Sequence, residues 1–271
     1  MWRGNTMYLE ISDGQLYYEV RGTGPLVLLF GAPMDAGAFA PLADLLAADH
    51  TVVTADPRGI GRSVLTDPEQ ESTPALRAAD LARLLDHLDA GPAVAFGSSG
   101  GAVTVLALAQ SRPDLLRAVI AHEPPHYHQL DDREKLSARV EDMIAAYAAG
   151  DIKGAWAMFM ENANIHLPEG MLDHFVPEPG TQAAADDRYS YLQMLRGTVQ
   201  WVPDLPNLRD NPAKILIGLG EDSAGELCDR TSRALAASLG TEPTMFPGGH
   251  IGFAEDPGTF EPRLREVLRE V

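Results

Sequence analysis

Short, unbroken apolar runs alternate along this chain with stretches whose apolar residues recur every three or four positions. Pro25-Leu26-Val27-Leu28-Leu29-Phe30 and Thr51-Val52-Val53-Thr54-Ala55 contain no charged position, the pattern of strands buried on both faces. Residues 39–48 read as a helix between them, and Leu76, Leu81, Leu84, Leu85 and Leu88 fall at helical spacing further on. Residues 92–96 and 118–121 are two more buried strands, separated by an Ala/Leu/Val-rich helix over 102–110. Ahead of them all, runs 8–11 and 15–20 flank Ser12-Asp13-Gly14, and Asp-Gly between alternating runs predicts a hairpin.

The rhythm breaks between about 127 and 206, where helical patterns over 131–149, 151–162 and 186–198 occur without a buried strand. It resumes with a strand at 214–218, a helix over 226–239 and a strand at 242–246. This order predicts an α/β fold: a mostly parallel sheet with helices on both faces. Residues 1–125 and 207–271 form its core, and 126–206 form a helical cap or lid over the C-terminal ends of the strands.

Composition narrows the function classes. A 271-residue chain with 45% hydrophobic and 22% charged residues fits one globular domain carrying an insertion. The net charge of −18 argues against nucleic acid, which needs a basic surface. No apolar run approaches the roughly 20 residues of a membrane span. The first ten residues also lack a charged-then-apolar signal pattern, so a soluble, cytoplasmic protein with no membrane partner is expected. The expected partner is a small-molecule substrate, with a homodimer kept open as the assembly. The single Cys228 excludes a disulfide framework and a cysteine-ligated zinc site, and reads as a buried structural thiol.

Chemistry concentrates at Gly97-Ser98-Ser99-Gly100-Gly101, between a strand and a helix. A strand–turn–helix of this G-x-S-x-G form places Ser99 on a strained elbow, with its hydroxyl proud of the sheet at a helix N-terminus. Ser98 occupies the x position, so its side chain should point away. Serine is a weak nucleophile until an imidazole accepts its proton, and a carboxylate must orient that imidazole. Both follow in order: Ile217-Gly218-Leu219-Gly220-Glu221-Asp222 supplies Asp222 just past a strand, and Pro247-Gly248-Gly249-His250 presents His250 from a glycine-rich loop. Glu221 is the alternative to Asp222, and Glu123, beyond the preceding core strand, ranks behind both. His122, His126 and His128 read as structural or substrate-facing. Their spacing matches no standard ligand pattern, so no metal and no cofactor are expected.

With these motifs in hand, the chain resembles an α/β-hydrolase-fold enzyme over nearly its full length. The resemblance rests on Phe30-Gly31-Ala32-Pro33, the segment from Asp56-Pro57-Arg58-Gly59 to Ile60-Gly61-Arg62-Ser63, the Ser99 elbow and Gly248-Gly249-His250. It implies an oxyanion hole from the backbone N–H groups of Ala32 and Gly100. Phe30 replaces the histidine many relatives carry before the oxyanion-loop glycine, which makes the pocket near Ala32 and Met34 more apolar. Residues 56–63 read as a tight turn braced by Arg58 that shapes the fold. The serine separates the chain from the dehalogenases and epoxide hydrolases of the fold, which use aspartate.

The predicted cap is rich in methionine and aromatic residues, most of which pack its helices together. Met34, Trp156, Phe159, Met160 and Met194 are the candidates for the substrate pocket. The expected activity is a serine hydrolase cleaving a carboxylic ester, lactone or related acyl bond of a small, largely apolar substrate. The same triad also suits C–C bond hydrolysis, cofactor-free perhydrolysis, or acyl transfer and cyclisation in a biosynthetic pathway. A non-catalytic receptor would not need Ser99, Asp222 and His250 together.

Overall fold

The computed structural model describes residues 6–168 and 170–271. Residues 1–5, part of the segment examined for a signal pattern, lie outside the described residues. The N-terminal hairpin forms as expected, but its turn is one residue shorter than the Ser12-Asp13-Gly14 segment between the two runs. Strands β1 (Thr6–Ile11) and β2 (Gly14–Arg21) pair with Ile11 opposite Gly14, so Ser12 and Asp13 make the turn. Gly14 serves packing instead: a Cβ there would lie 2.1 Å from the carbonyl oxygen of Val64.

The core then runs β3 (Leu26–Ala32), α1 (Ala36–Leu46), β4 (Thr51–Ala55), the short β5 (Val64–Leu65), α2 (Pro74–Leu88), β6 (Ala93–Ser99), α3 (Gly100–Ser111) and β7 (Leu116–His122). After an insertion it continues with β8 (Lys214–Gly220), α9 (Leu227–Leu239) and β9 (Thr244–Phe246). Two further helices, Gly252–Glu255 and Pro257–Glu270, end the chain.

Among the described residues the sheet has nine strands, in the order β1-β2-β4-β3-β6-β7-β8-β9 with β5 on β2. Pairing is antiparallel as far as β4 and parallel from β4 to β9. Every residue of β3 is buried, as a run without polar positions requires. Its side chains alternate between two cores. Leu28 and Phe30 pack with Leu81 and Leu84 of α2 and Leu106 of α3, while Val27 and Leu29 pack with Phe39 and Leu42 of α1 and with Phe260 and Leu264. Each such side chain contributes about 1.5–3 kcal/mol on burial.

Between β7 and β8 lie the helices α4 (Arg133–Ala148), α5 (Ile152–Ala163) and α6 (Gln182–Tyr189). A π-helical turn, Ser190–Met194, leads from α6 into α7 (Leu195–Val199), and α8 (Leu205–Arg209) returns to the sheet. This insertion has its own apolar cluster around Leu136, Val140, Met143, Tyr147 and Tyr191. Its docking contacts on the core include the following. A Cβ on Gly59 would meet the Tyr189 ring at 2.3 Å, and the Gly61 N–H donates to Asp186 Oδ1 at 3.0 Å. The wholly buried Arg77 of α2 donates to Thr198 Oγ1 at 2.9 Å.

The segment 56–63 is the braced turn that the sequence suggests. Arg58, 1% exposed, donates to Asp80 at 2.7 and 3.0 Å and to Asp13 at 2.9 and 3.0 Å, tying the first hairpin to α2. No helix among the described residues is long and apolar enough to cross a membrane.

Candidate active site

Parallel pairing brings the C-terminal ends of β3, β6, β7 and β8 to one edge, with Ala32 opposite Ser99, Ser98 opposite His122, and His122 opposite Gly218. Ser99 stands there with φ 57° and ψ −126°, a conformation non-glycine residues avoid. Such strain costs on the order of 1–3 kcal/mol. The glycines around it permit the close passage of strand and helix. A Cβ on Gly97 would lie 2.4 Å from the Gly101 carbonyl oxygen, and one on Gly101 would lie 2.2 Å from that of Phe30. Ser98 is wholly buried, its Oγ 3.4 Å from His122 Nδ1. Ser99 is partly exposed, and its Oγ has no hydrogen-bond partner among the described residues. A Cβ on Gly100 would lie 2.6 Å from the Ala32 carbonyl oxygen, so the two backbones proposed for an oxyanion hole abut beside Ser99.

His250, 27% exposed, reaches this edge from the loop after β9. Its Nδ1 lies 2.6 Å from Oε2 of Glu123, not from Asp222. This corrects the expectation for Asp222, whose side chain, like that of Glu221, is exposed. Asp222 contributes its backbone instead, its N–H donating to Gly248 O at 3.0 Å and so fixing the histidine loop. The physical reason lies in where each carboxylate leaves the sheet. Glu123 follows directly on β7 in a left-handed conformation, φ 53°, which turns its side chain inward beneath the loop. There its Oε1 accepts the Gly220 N–H at 2.8 Å.

Burial would raise the Glu123 carboxyl, but the hydrogen bond and positive charge of His250 outweigh it and hold the group at about 2. Burial likewise opposes an imidazolium at His250, yet the adjacent Cys228 sulfur and Glu123 raise it well above its ordinary value. A neutral tautomer with its proton on Nδ1, facing Glu123, leaves Nε2 free to accept a proton.

Cys228, expected to be a buried structural thiol, is partly exposed at the start of α9. A donor atom from each of Glu123, Cys228 and His250 lies within 4.8 Å of the others. The three histidines at and beyond the end of β7 differ in burial. His122 is wholly buried, stacked on Phe96 at 5.6 Å and edge-on to Phe246, and burial pushes it down to about 4. His126 is wholly buried against Trp201 at 5.6 Å, and burial pushes it down to about 4 as well. His128 is exposed.

The pocket candidates scatter. Trp156 and Phe159 pack against the insertion's own cluster, and Met160 lines a cavity of about 500 Å³ with Ile165, Leu167 and Leu172. Met194 is buried in the core on the α2–α3 side of the sheet. Met34 alone lies beside the end of β3, its Cβ 2.7 Å from where a Cβ on Gly31 would stand.

A model of the alpha/beta hydrolase family matches residues 26–263. The chain belongs to the alpha/beta hydrolase family. It is 30% identical to a Bacillus subtilis protein described as the uncharacterized hydrolase YraK, over 98% of this chain and 97% of that one. It is 26% identical to the zearalenone hydrolase of Bionectria ochroleuca, over 94% of each. Among solved structures, an esterase from Thermogutta terrifontis superposes with a TM-score of 0.69 at 20% identity, covering 97% of this chain and 98% of that one. The enol-lactonase of Burkholderia xenovorans LB400 superposes with a TM-score of 0.67 at 20% identity, covering 97% of this chain and all of the other. These two likenesses show the fold. With the named hydrolases among its relatives, this alpha/beta hydrolase is an enzyme of the hydrolase class.

Proposed function

We propose that this alpha/beta hydrolase cleaves a carboxylic ester or lactone of a small, largely apolar substrate through an acyl-enzyme, with Ser99 as nucleophile, His250 as base and Glu123 as the orienting acid. The observation that carries this reading is the 2.6 Å Glu123–His250 hydrogen bond at the sheet edge that presents Ser99. Ser99 Oγ attacks the acyl carbon as its proton passes to His250 Nε2. Glu123 keeps the other ring proton on Nδ1 and stabilises the imidazolium. The backbone N–H groups of Ala32 and Gly100 receive the oxyanion, and loss of one such donor costs about 2.7–4 kcal/mol in the barrier. The C–O bond to the leaving alcohol then breaks, and the alkoxide takes the proton from His250. Water, deprotonated by His250, attacks the acyl-enzyme, releases the acid and restores Ser99. General-base help of this kind is worth about 10²–10⁴-fold.

The helices between β7 and β8 serve as a cap, docked on the 56–63 turn and on α2. The apolar Met34 beside β3 favours an uncharged acyl group, whereas Phe30, expected to make that pocket more apolar, is buried in the core against α2 and α3. The relative named zearalenone hydrolase and the fold neighbour named enol-lactonase support lactones within the substrate range. A panel of esters and lactones of increasing acyl length, assayed with wild type and Ser99→Ala, tests the reading. Turnover should favour apolar acyl groups and fall to background in the variant. Ser99→Ala turning over at the wild-type rate would overturn it.

A further inference from the structure

The reaction leaves one nucleophilic side chain at its centre unused. Cys228 enters from the first turn of α9, Glu123 from the end of β7 and His250 from the loop after β9, and their donor atoms converge within 4.8 Å. We infer that Glu123, Cys228 and His250 form a site for a thiophilic divalent cation, zinc or cadmium, whose binding blocks hydrolysis.

Thiolate, imidazole and carboxylate are the donors such ions take, and three protein ligands leave a fourth tetrahedral position for water. A lone cysteine is expected from the sequence to exclude a cysteine-ligated zinc site, but that expectation overlooks a site needing only one thiol, here completed by Glu123 and His250. Zinc bond lengths of about 2.0–2.3 Å set tetrahedral donors about 3.4–3.6 Å apart. Donors within 4.8 Å therefore reach a common ion by small side-chain rotations. His250 and Cys228 are both partly exposed, which gives a hydrated cation a way in.

The Glu123–His250 bond of 2.6 Å is shorter than that donor spacing, so the ion must open it. Binding therefore competes with the pair that the reaction uses. Coordination removes the S–H proton of Cys228 to solvent and occupies a lone pair of a His250 ring nitrogen. His250 so engaged is no longer held by Glu123 as a base for Ser99. The inhibitory consequence rests on the role proposed for His250, whereas the binding itself does not.

Titration with Cd2+ in thiol-free buffer separates the two. The ultraviolet thiolate-to-cadmium charge-transfer band reports binding whether or not the protein is active. Wild type and Ser99→Ala should show the band with equal affinity. Glu123→Gln and His250→Ala, checked for folding by near-ultraviolet circular dichroism, should weaken binding about ten-fold or more. In parallel, Zn2+ should inhibit wild type reversibly, and Cys228→Ser, compared with its own metal-free rate, should need at least about ten-fold more zinc. Unchanged cadmium affinity in both Glu123→Gln and His250→Ala would reduce Cys228 to an isolated thiol and overturn the site. Unchanged zinc sensitivity in Cys228→Ser would overturn the block on hydrolysis. A protein that shows the band but hydrolyses no ester or lactone would count against the proposed function and leave the site standing.

Discussion

Glu123→Gln against Asp222→Asn decides which carboxylate orients the base. Glutamine keeps the shape of the buried side chain, and its carbonyl can still accept the Gly220 N–H that Glu123 Oε1 accepts at 2.8 Å. What it loses is the charge facing His250 Nδ1 at 2.6 Å. At an effective dielectric constant of about 20, unit charges at that separation attract by about 6 kcal/mol. This bounds the stabilisation of the imidazolium that forms when Ser99 attacks. A 10⁴-fold loss in rate corresponds to about 5.4 kcal/mol, and neutralising the acid of a serine triad elsewhere costs about that much. We therefore expect Glu123→Gln to lower kcat by about 10³–10⁴-fold with little change in KM. Asp222→Asn, at an exposed side chain, should stay within a few-fold of wild type. Steady-state kinetics on the best ester of the panel, with thermal melts to confirm folding, read both. An active Glu123→Gln beside a crippled Asp222→Asn would reverse the assignment.

Three further outcomes follow from the packing. Arg58→Met leaves the carboxylates of Asp13 and the buried Asp80 unpaired, so urea melts should show a loss of about 3–5 kcal/mol while kcat per folded molecule is unchanged. His126 is held at about 4 against an ordinary 6.5, so between those pH values the unfolded chain takes up a proton that the folded chain refuses. His126 alone should therefore account for about 3 kcal/mol of the stability lost as pH drops through that window, and chemical denaturation of His126→Leu should show a shallower acid limb. Gly101→Ala places a Cβ 2.2 Å from the Phe30 carbonyl oxygen, so it should cost both melting temperature and kcat, whereas Gly150→Ala, with open space around it and a left-handed backbone, should cost stability alone.

Most of the fold was legible because the core strands are built on short apolar runs and the long helices keep their period. The elbow was legible because glycine is compulsory on both sides of Ser99. The acid was not. Chain order favours the carboxylate after β8, but β7 and β8 are neighbours, so both strand ends reach the same edge. Which carboxylate turns inward is settled by one backbone conformation, the φ of 53° at Glu123, that no periodicity encodes. A signal was present nonetheless: Glu123 directly follows an apolar strand and precedes Pro124-Pro125, an odd place for a charge without a buried partner. The partners of Arg58 were hidden for a related reason, since Asp13 in the hairpin turn and Asp80 on α2 are far from it in sequence and meet it only in the folded chain. The aromatic and methionine content of the insertion was read correctly as composition. Its division between the insertion's own core and the docking surface depends on helix rotation, which spacing alone does not set.

In the proposed reaction Ser99 is the nucleophile, activated by a histidine paired with Glu123. Treatment with a fluorophosphonate, followed by peptide mass spectrometry, tests it most directly. A single adduct on Ser99 is expected, formed rapidly in wild type, slowed by orders of magnitude in Glu123→Gln and absent in Ser99→Ala. An unlabelled Ser99 in folded wild-type protein, or an adduct on Ser98 or Cys228 in its place, would contradict it.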